Sequence, residues 1–234
     1  MDLSHGTLLD GRIRYTQPIQ GYRTGIEPVL LAASIPARPG DRVLEAGTGA
    51  AAALLCLAHR VQGLQGTGIE RDPAMAALAR QNLAANAVPF EILEADVAAL
   101  PPLPRFDHVF ANPPWHDPAA TRPPDARRAA ATHRGAGGLA AWIDSLAPLA
   151  KSTLTLILPA ALLDEAITRL QTTPLASLTL IPLRPREAQP AKIVLIQACP
   201  GPADTSTAPG LTLHTEGQGY TPDTEAILRL GAAL

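Results

Sequence analysis

Apolar residues in this chain fall into short runs, and helical stretches separate the runs in a repeating order. Arg42-Val43-Leu44-Glu45 reads as a short buried strand and residues 52–60 as an apolar helix. Gly66-Thr67-Gly68-Ile69-Glu70 reads as a second strand, followed by a helix over 72–86. Phe90, Ile92 and Leu93 mark a third strand that ends in the turn Leu93-Glu94-Ala95-Asp96. Phe106-Asp107-His108-Val109-Phe110 is the fourth, and it runs into Ala111-Asn112-Pro113-Pro114-Trp115. A helix over 139–150, a strand over 153–158 and a helix over 160–170 continue the series. Strands alternating with helices in this way predict a parallel sheet covered by helices on both faces.

The two ends of the chain break the alternation. Residues 7–15 read as a hairpin around Asp10-Gly11, a pair that favours a tight reversal. Residues 25–33 read as a lead-in helix, with Pro28 acceptable only in its first turn. Near the other end, the strands at 178–183 and 192–197 are too close in sequence for a helical crossover, so this pair is expected to be antiparallel. Residues 200–209 read as a polar, flexible insertion, 211–214 as an edge strand and 223–230 as a closing helix.

Composition narrows the class. At 234 residues, with 47% hydrophobic and 17% charged, the chain can bury one substantial core, which makes a single α/β domain the natural expectation. It contains no apolar run of ~20 residues, and Met1 to Asp10 lack the basic-then-apolar layout of a signal peptide, so no membrane partner is expected. Cys56 and Cys199 follow no ligand or disulfide spacing; they read as small hydrophobes in a reducing compartment, with no metal site. The net charge of −2 argues against a surface that coats nucleic acid indiscriminately, though a local basic patch remains compatible with it.

Candidate chemistry lies at the strand ends. Ala46-Gly47-Thr48-Gly49-Ala50-Ala51 forms a strand-to-helix turn whose glycines let a ligand approach the backbone. Glu70, some twenty residues on, is placed to accept from ribose hydroxyls. Gly47, Gly49 and Ala52 with Glu70 also satisfy, loosely, a dinucleotide fingerprint of nicotinamide-dependent oxidoreductases. Glu45 favours a different cofactor, because a carboxylate beside the turn suits an ammonium and a sulfonium better than a pyrophosphate. Asp96 adds an acid on the side expected to hold an adenine amine. At residues 112–115 two prolines stiffen the chain just past a strand end. Asn112 and the Pro113 carbonyl offer two acceptors and Trp115 a flat aromatic face, a set that fits a planar group carrying an exocyclic amine.

In chain order, Glu45-Ala46-Gly47-Thr48-Gly49, Glu70, Asp96 and Asn112-Pro113-Pro114-Trp115 resemble the motifs of class I S-adenosylmethionine-dependent methyltransferases. The Asn-Pro-Pro-aromatic motif is similar to that of enzymes methylating adenine N6, guanine N2 or glutamine N5. The flanking tracts Gln20-Gly21-Tyr22-Arg23-Thr24-Gly25-Ile26-Glu27, Pro185-Arg186-Glu187-Ala188 and Gln218-Gly219-Tyr220-Thr221 resemble the bacterial tRNA adenine-N6 methyltransferases that act on valine tRNA. Two positions depart from the pattern: Ala51 replaces a third glycine, and Trp115 stands where Tyr or Phe is commoner.

The resemblance implies a Rossmann-like α/β fold. Its sheet has seven strands, mostly parallel with an antiparallel last hairpin, with helices on both faces and a short N-terminal hairpin and helix. One methyltransferase domain is expected over 1–234: the hairpin and lead-in helix at 1–38, and the core at 39–234 with a basic loop at 116–138. S-adenosyl-L-methionine is the implied cofactor, held by Thr24, Glu45, Gly47, Thr48, Gly49, Glu70, Asp96 and Asn112. Asn112, Pro113, Pro114 and Trp115 are the implied catalytic set. Trp115, Arg127, Arg128 and Arg134 are the implied substrate contacts, with Arg122 and His133 in the same loop. The implied partner is tRNA in the cytoplasm, and the protein is expected to be a monomer or small homo-oligomer. A protein glutamine, an rRNA guanine N2 or a small amine is the alternative acceptor. His59, His108 and Trp142 read as structural.

Overall fold

The computed structural model describes residues 1–20, 24–114 and 138–234. Strands β1 (Leu3–Leu8) and β2 (Ile13–Pro18) pair antiparallel as a separate hairpin. Its turn places Leu9, Asp10 and Gly11 at φ of 49°, 53° and 89°, the left-handed geometry that an Asp-Gly reversal accommodates. Helix α1 (Glu27–Ser34) follows, with Pro28 in its first turn, where a missing N–H costs nothing.

The core sheet alternates with helices as the apolar periodicity predicts: β3 (Arg42–Ala46), α2 (Ala52–Arg60), β4 (Gln65–Glu70), α3 (Pro73–Ala85), β5 (Glu91–Glu94) and β6 (Phe106–Ala111). After the site region come α4 (Gly138–Leu146), β7 (Ala150–Pro159), α5 (Leu163–Leu170), β8 (Leu175–Arg184) and β9 (Ile193–Cys199). Two short strands, β10 (Gly201–Thr207) and β11 (Leu211–Thr212), precede α6 (Pro222–Leu230). Neighbours in the sheet run β10-β8-β9-β7-β6-β3-β4-β5, with β11 beside β8. Strands β3 to β7 pair parallel, and β9 is antiparallel to both β7 and β8. The seven expected strands are therefore β3 to β9, and two further strands extend one edge.

Three local expectations change. Residues 201–207, read as a flexible insertion, form β10 parallel to β8. All seven are exposed, so neither face needs apolar residues and the period-2 signal is missing; backbone pairing to β8 holds the strand, helped by polar side chains such as Ser206, whose Oγ donates to Leu178 O (3.3 Å). The edge strand expected over 211–214 stops at Thr212, and His214 instead bridges antiparallel to Tyr220 and stacks on its ring at 4.8 Å between centroids. The helix expected over 139–150 ends at Leu146, because Pro148 cannot donate to a continuing helix, and β7 starts at Ala150.

Both sheet faces are covered, which is why the central strands read as continuous apolar runs. Val43, Phe110, Ile157 and Leu195 pack in one layer with residues from the hairpin and α1, α2, α3 and α6. Leu44, Val109, Leu156 and Ile196 pack in the other with residues of α4 and α5. His108 is buried within β6 between Thr153 Oγ1 (2.8 Å) and Asp41 Oδ2 (3.2 Å), the structural role expected of it. Cys56 is buried, and burial pushes its thiol up to about 12, out of reach of ordinary redox chemistry.

The hairpin docks through two asparagines four residues apart on α3. Asn82 Oδ1 accepts from Thr16 N (2.9 Å), while its Nδ2 donates to Thr16 O (2.8 Å) and Ala50 O (2.9 Å). Asn86 does the same to Arg14, Oδ1 accepting from its N (2.9 Å) and Nδ2 donating to its O (2.8 Å). The two side-chain amides thus pair with β2 as a neighbouring strand would. Asn82 is 2% exposed, so Asn82→Ala strands three backbone groups; a loss of about 3 kcal/mol is expected, lowering Tm by roughly 6–12 °C in a thermal melt.

Candidate active site

Parallel pairing brings Gly47, Glu70 and Asn112, three of the sequence-predicted residues, to one rim. Ala46 pairs with Ala111 on one side and with Ile69 on the other, and Ile69 pairs with Leu93. The residues that follow, Asn112, Gly47, Glu70 and Glu94, therefore leave the carboxyl ends of β6, β3, β4 and β5 at one height, with strands spaced at about 4.8 Å. This is the edge at which open α/β sheets take ligands.

The turn after β3 is held from several sides. Thr48 N donates to Ile69 O (2.9 Å), and Ala51 N to Thr48 O (2.9 Å). Gly47 and Gly49 adopt φ of 68° and 55°, which a side chain would strain. Glu70 spans the rim: its Oε2 accepts from Gly49 N and its Oε1 from Asp72 N, both at 2.9 Å. Those backbone donors orient the carboxylate and leave it lone pairs for a ligand's hydroxyls. Ala51, at the third-glycine position, sits at φ 68°, ψ 33°, fully buried. The departure from glycine thus costs ~1–2 kcal/mol of left-handed backbone strain, where the sequence suggested only crowding.

Glu45 is 4% exposed, so it is no surface acid. Its Oε2 accepts from Thr48 Oγ1 (2.6 Å) and Leu54 N (3.3 Å), tying strand, turn and helix α2 together. Burial pushes its carboxyl up to about 8; the bonds from Thr48 and Leu54 oppose this, and the nearby Glu70 charge adds to it. Asp96 is half exposed; its Oδ1 accepts from Ala98 N (2.9 Å), capping the 3₁₀ turn Val97–Ala99, and its Oδ2 lies 3.9 Å from Arg71 Nη1. Thr24 donates its N–H to Gln17 Oε1 (3.0 Å), and its hydroxyl meets the Tyr15 hydroxyl at 2.7 Å. The lead-in segment is thereby fixed to the hairpin that Asn82 ties to Ala50 of the turn.

Past β6, Pro113 is buried, while Asn112 and Pro114 are half-buried. Trp115, Arg122, Arg127, Arg128, His133 and Arg134 lie outside the described residues, as do Gly21, Tyr22 and Arg23. Sequence reasoning missed two contributors, Asn82 and Asn86. They carried a readable signal, two amides on one helix face. Trp142, read as core, does pack half-buried against the core layer, and its ring also lies against Gly47.

These residues fit S-adenosyl-L-methionine. Gly49 opens onto space, since a Cβ there would meet nothing closer than Met75 Cε at 3.9 Å. Glu70 and Asp96 place carboxylate acceptors along the rim, suited to the hydroxyls and amine of a ribose-bearing ligand, and Glu45 lies buried behind the glycine turn. Among the described residues no group of three potential metal ligands gathers, and no helix is long and apolar enough to cross a membrane.

Residues 43–138 match a methyltransferase domain family. This match covers 96 of the 234 residues, and the fold as a whole is that of solved methyltransferases. Among curated relatives, the chain is 31% identical over 144 residues to the tRNA1(Val) (adenine(37)-N6)-methyltransferase of Tolumonas auensis, covering 58% of this chain and 59% of that one. The enzyme of the same name from Actinobacillus succinogenes is 28% identical over 206 residues, 85% of each chain. The match thus spans about three-fifths of the Tolumonas relative's length, and 48% of a similarly named Porphyromonas gingivalis relative. A predicted O-methyltransferase from Agrobacterium tumefaciens superposes with a TM-score of 0.71 at 26% identity, covering 88% of this chain and 97% of that one. The precorrin-6y C5,15-methyltransferase of Geobacter metallireducens shares the fold at a TM-score of 0.55 and 15% identity.

Proposed function

We propose that this protein transfers a methyl group from S-adenosyl-L-methionine to an exocyclic amine, specifically adenine N6 in tRNA. The observation that carries the reading is the register Ala46–Ala111, which sets the Asn112-Pro113-Pro114 corner beside the glycine turn at one height on the rim. The relatives named as tRNA adenine-N6 methyltransferases support the choice of acceptor.

When bound, the cofactor supplies an electrophilic methyl on a sulfonium, so the chain's task is alignment. An adenine amine is a poor nucleophile because its lone pair is delocalised into the ring. The Asn112 side-chain carbonyl and the Pro113 backbone carbonyl accept its two N–H bonds, favouring a pyramidal nitrogen with its lone pair free to attack. Trp115 stacks on the base, offsetting about 1–3 kcal/mol of the cost of splaying it out. Glu70 accepts from the ribose, Glu45 faces the cationic half and Asp96 serves the adenine side. Thr24 and the Thr48 and Gly49 backbone complete the cofactor set. Arg127, Arg128 and Arg134 are assigned to phosphate contacts.

The test is incubation with labelled cofactor and total tRNA, followed by digestion. Labelled N6-methyladenosine is the expected product; label in protein glutamine, rRNA guanine or a small amine, or none in tRNA, overturns the assignment. Phosphate contacts also predict a steep salt dependence: with three arginines engaged, log Kd for tRNA is expected to rise with log salt at a slope of about 2–3 in a filter-binding series.

A further inference from the structure

The indole of Trp142 sits on the first glycine of the turn. A Cβ built on Gly47 would lie 2.9 Å from Trp142 Cη2, closer than side chains approach one another, with Cζ3 in contact at 3.5 Å. Glycine at 47 therefore serves two ends: it permits the left-handed φ, and it leaves room for an aromatic ring on its Cα. The ring is half-buried, and the remainder of α4 is anchored by Leu139, Ile143 and Leu146, all buried against the sheet. The same helix packs on the 3₁₀ turn Val97–Ala99, whose cap is Asp96. One helix thus touches both the glycine turn after β3 and the turn after β5.

We infer that Trp142 is a cofactor-contacting residue: its indole forms an aromatic wall at Gly47 that favours the sulfonium form of the cofactor over the neutral thioether left after transfer. The inference rests on residues 47–49 being the cofactor turn. Aromatic rings attract a cation held within about 6 Å, and tryptophan does so most strongly. The thioether product, S-adenosylhomocysteine, has no charge at sulfur, so it loses that attraction while keeping every other contact. Trp142 thereby favours binding of the donor and release of the product, which hydrogen bonds to the ribose and adenine cannot do, since both forms share those groups.

The experiment is calorimetric titration of the full chain with each form separately, for wild type, Trp142→Phe and Trp142→Ala. The wild type is expected to bind S-adenosylmethionine more tightly than S-adenosylhomocysteine. Trp142→Ala is expected to weaken S-adenosylmethionine about tenfold and S-adenosylhomocysteine no more than twofold, with Trp142→Phe intermediate for the first and unchanged for the second. Circular dichroism checks the fold; should the alanine variant not fold, the smaller change to phenylalanine decides, by a selective loss for S-adenosylmethionine with none for S-adenosylhomocysteine. Fluorescence adds a direct readout: in a Trp115→Phe background Trp142 is the sole tryptophan, and its emission should change on cofactor binding. Equal losses for both forms, no loss for either, or unaltered emission overturn the inference while leaving the turn as the cofactor site. A wild type that binds neither form overturns the cofactor reading itself.

Discussion

Replacing Asn112 by alanine is expected to lower kcat for tRNA methylation by about 10³-fold while S-adenosylmethionine affinity changes less than about twofold. Asn112 follows the last residue of β6, and the two prolines after it fix its backbone, so truncation removes an acceptor and leaves the corner standing. An acceptor aimed at the amine matters most when the nitrogen pyramidalises, and such preorganised groups are commonly worth 10²–10³ in rate. The loss should therefore fall on kcat and on kcat/KM alike. Asn112→Asp discriminates further: it keeps an acceptor of the same length and should retain more activity than alanine. Single-turnover methylation beside calorimetric cofactor binding reads both quantities. Unchanged turnover in Asn112→Ala removes the residue from the chemistry, and a parallel collapse of cofactor affinity reassigns it to cofactor binding.

The frame of this site was readable because each central strand is buried on both faces and flanked by a helix of apolar period. Val43-Leu44 and Val109-Phe110 send side chains into opposite layers, so either pair reads as a continuous run, and the acids and glycines that follow mark the strand ends. Other features had no one-dimensional trace. Strand β10 is exposed on both faces, so its seven residues carry no alternation. Trp142 lies on an apolar helix face, and periodicity shows that such a face is covered without showing that Gly47 covers part of it. Glu45 is the sharpest case. A carboxylate closing a buried strand reads the same whether it points to water or, as here, under a helix N-terminus with Thr48 and Leu54 as donors.

That burial gives Glu45 a measurable signature. Its carboxyl rises from an ordinary 4.5 to about 8, chiefly through loss of water, so the ligand-free fold binds a proton there that the unfolded chain releases. The sign follows: the stability contributed by the neutral carboxyl is complete below about pH 4.5 and is lost progressively as pH rises through about 8. Its full size is up to about 5 kcal/mol. Glu45→Gln keeps the shape without the titration, so it should flatten the decline of stability between pH 5 and 9 and exceed wild type in urea melts at pH 9. Cofactor binding should act in reverse. A cationic ligand beside Glu45 favours the carboxylate, so S-adenosylmethionine uptake at pH 7 should release close to one proton, and affinity should climb from pH 5.5 to 7.5. Calorimetry in buffers of different ionisation enthalpy counts that proton. Glu45→Gln should release none, bind at least tenfold more weakly at pH 7.5 and show a flat profile. Proton release that persists in Glu45→Gln would place the charged partner of the cofactor elsewhere on the rim, at Glu70 or Asp96.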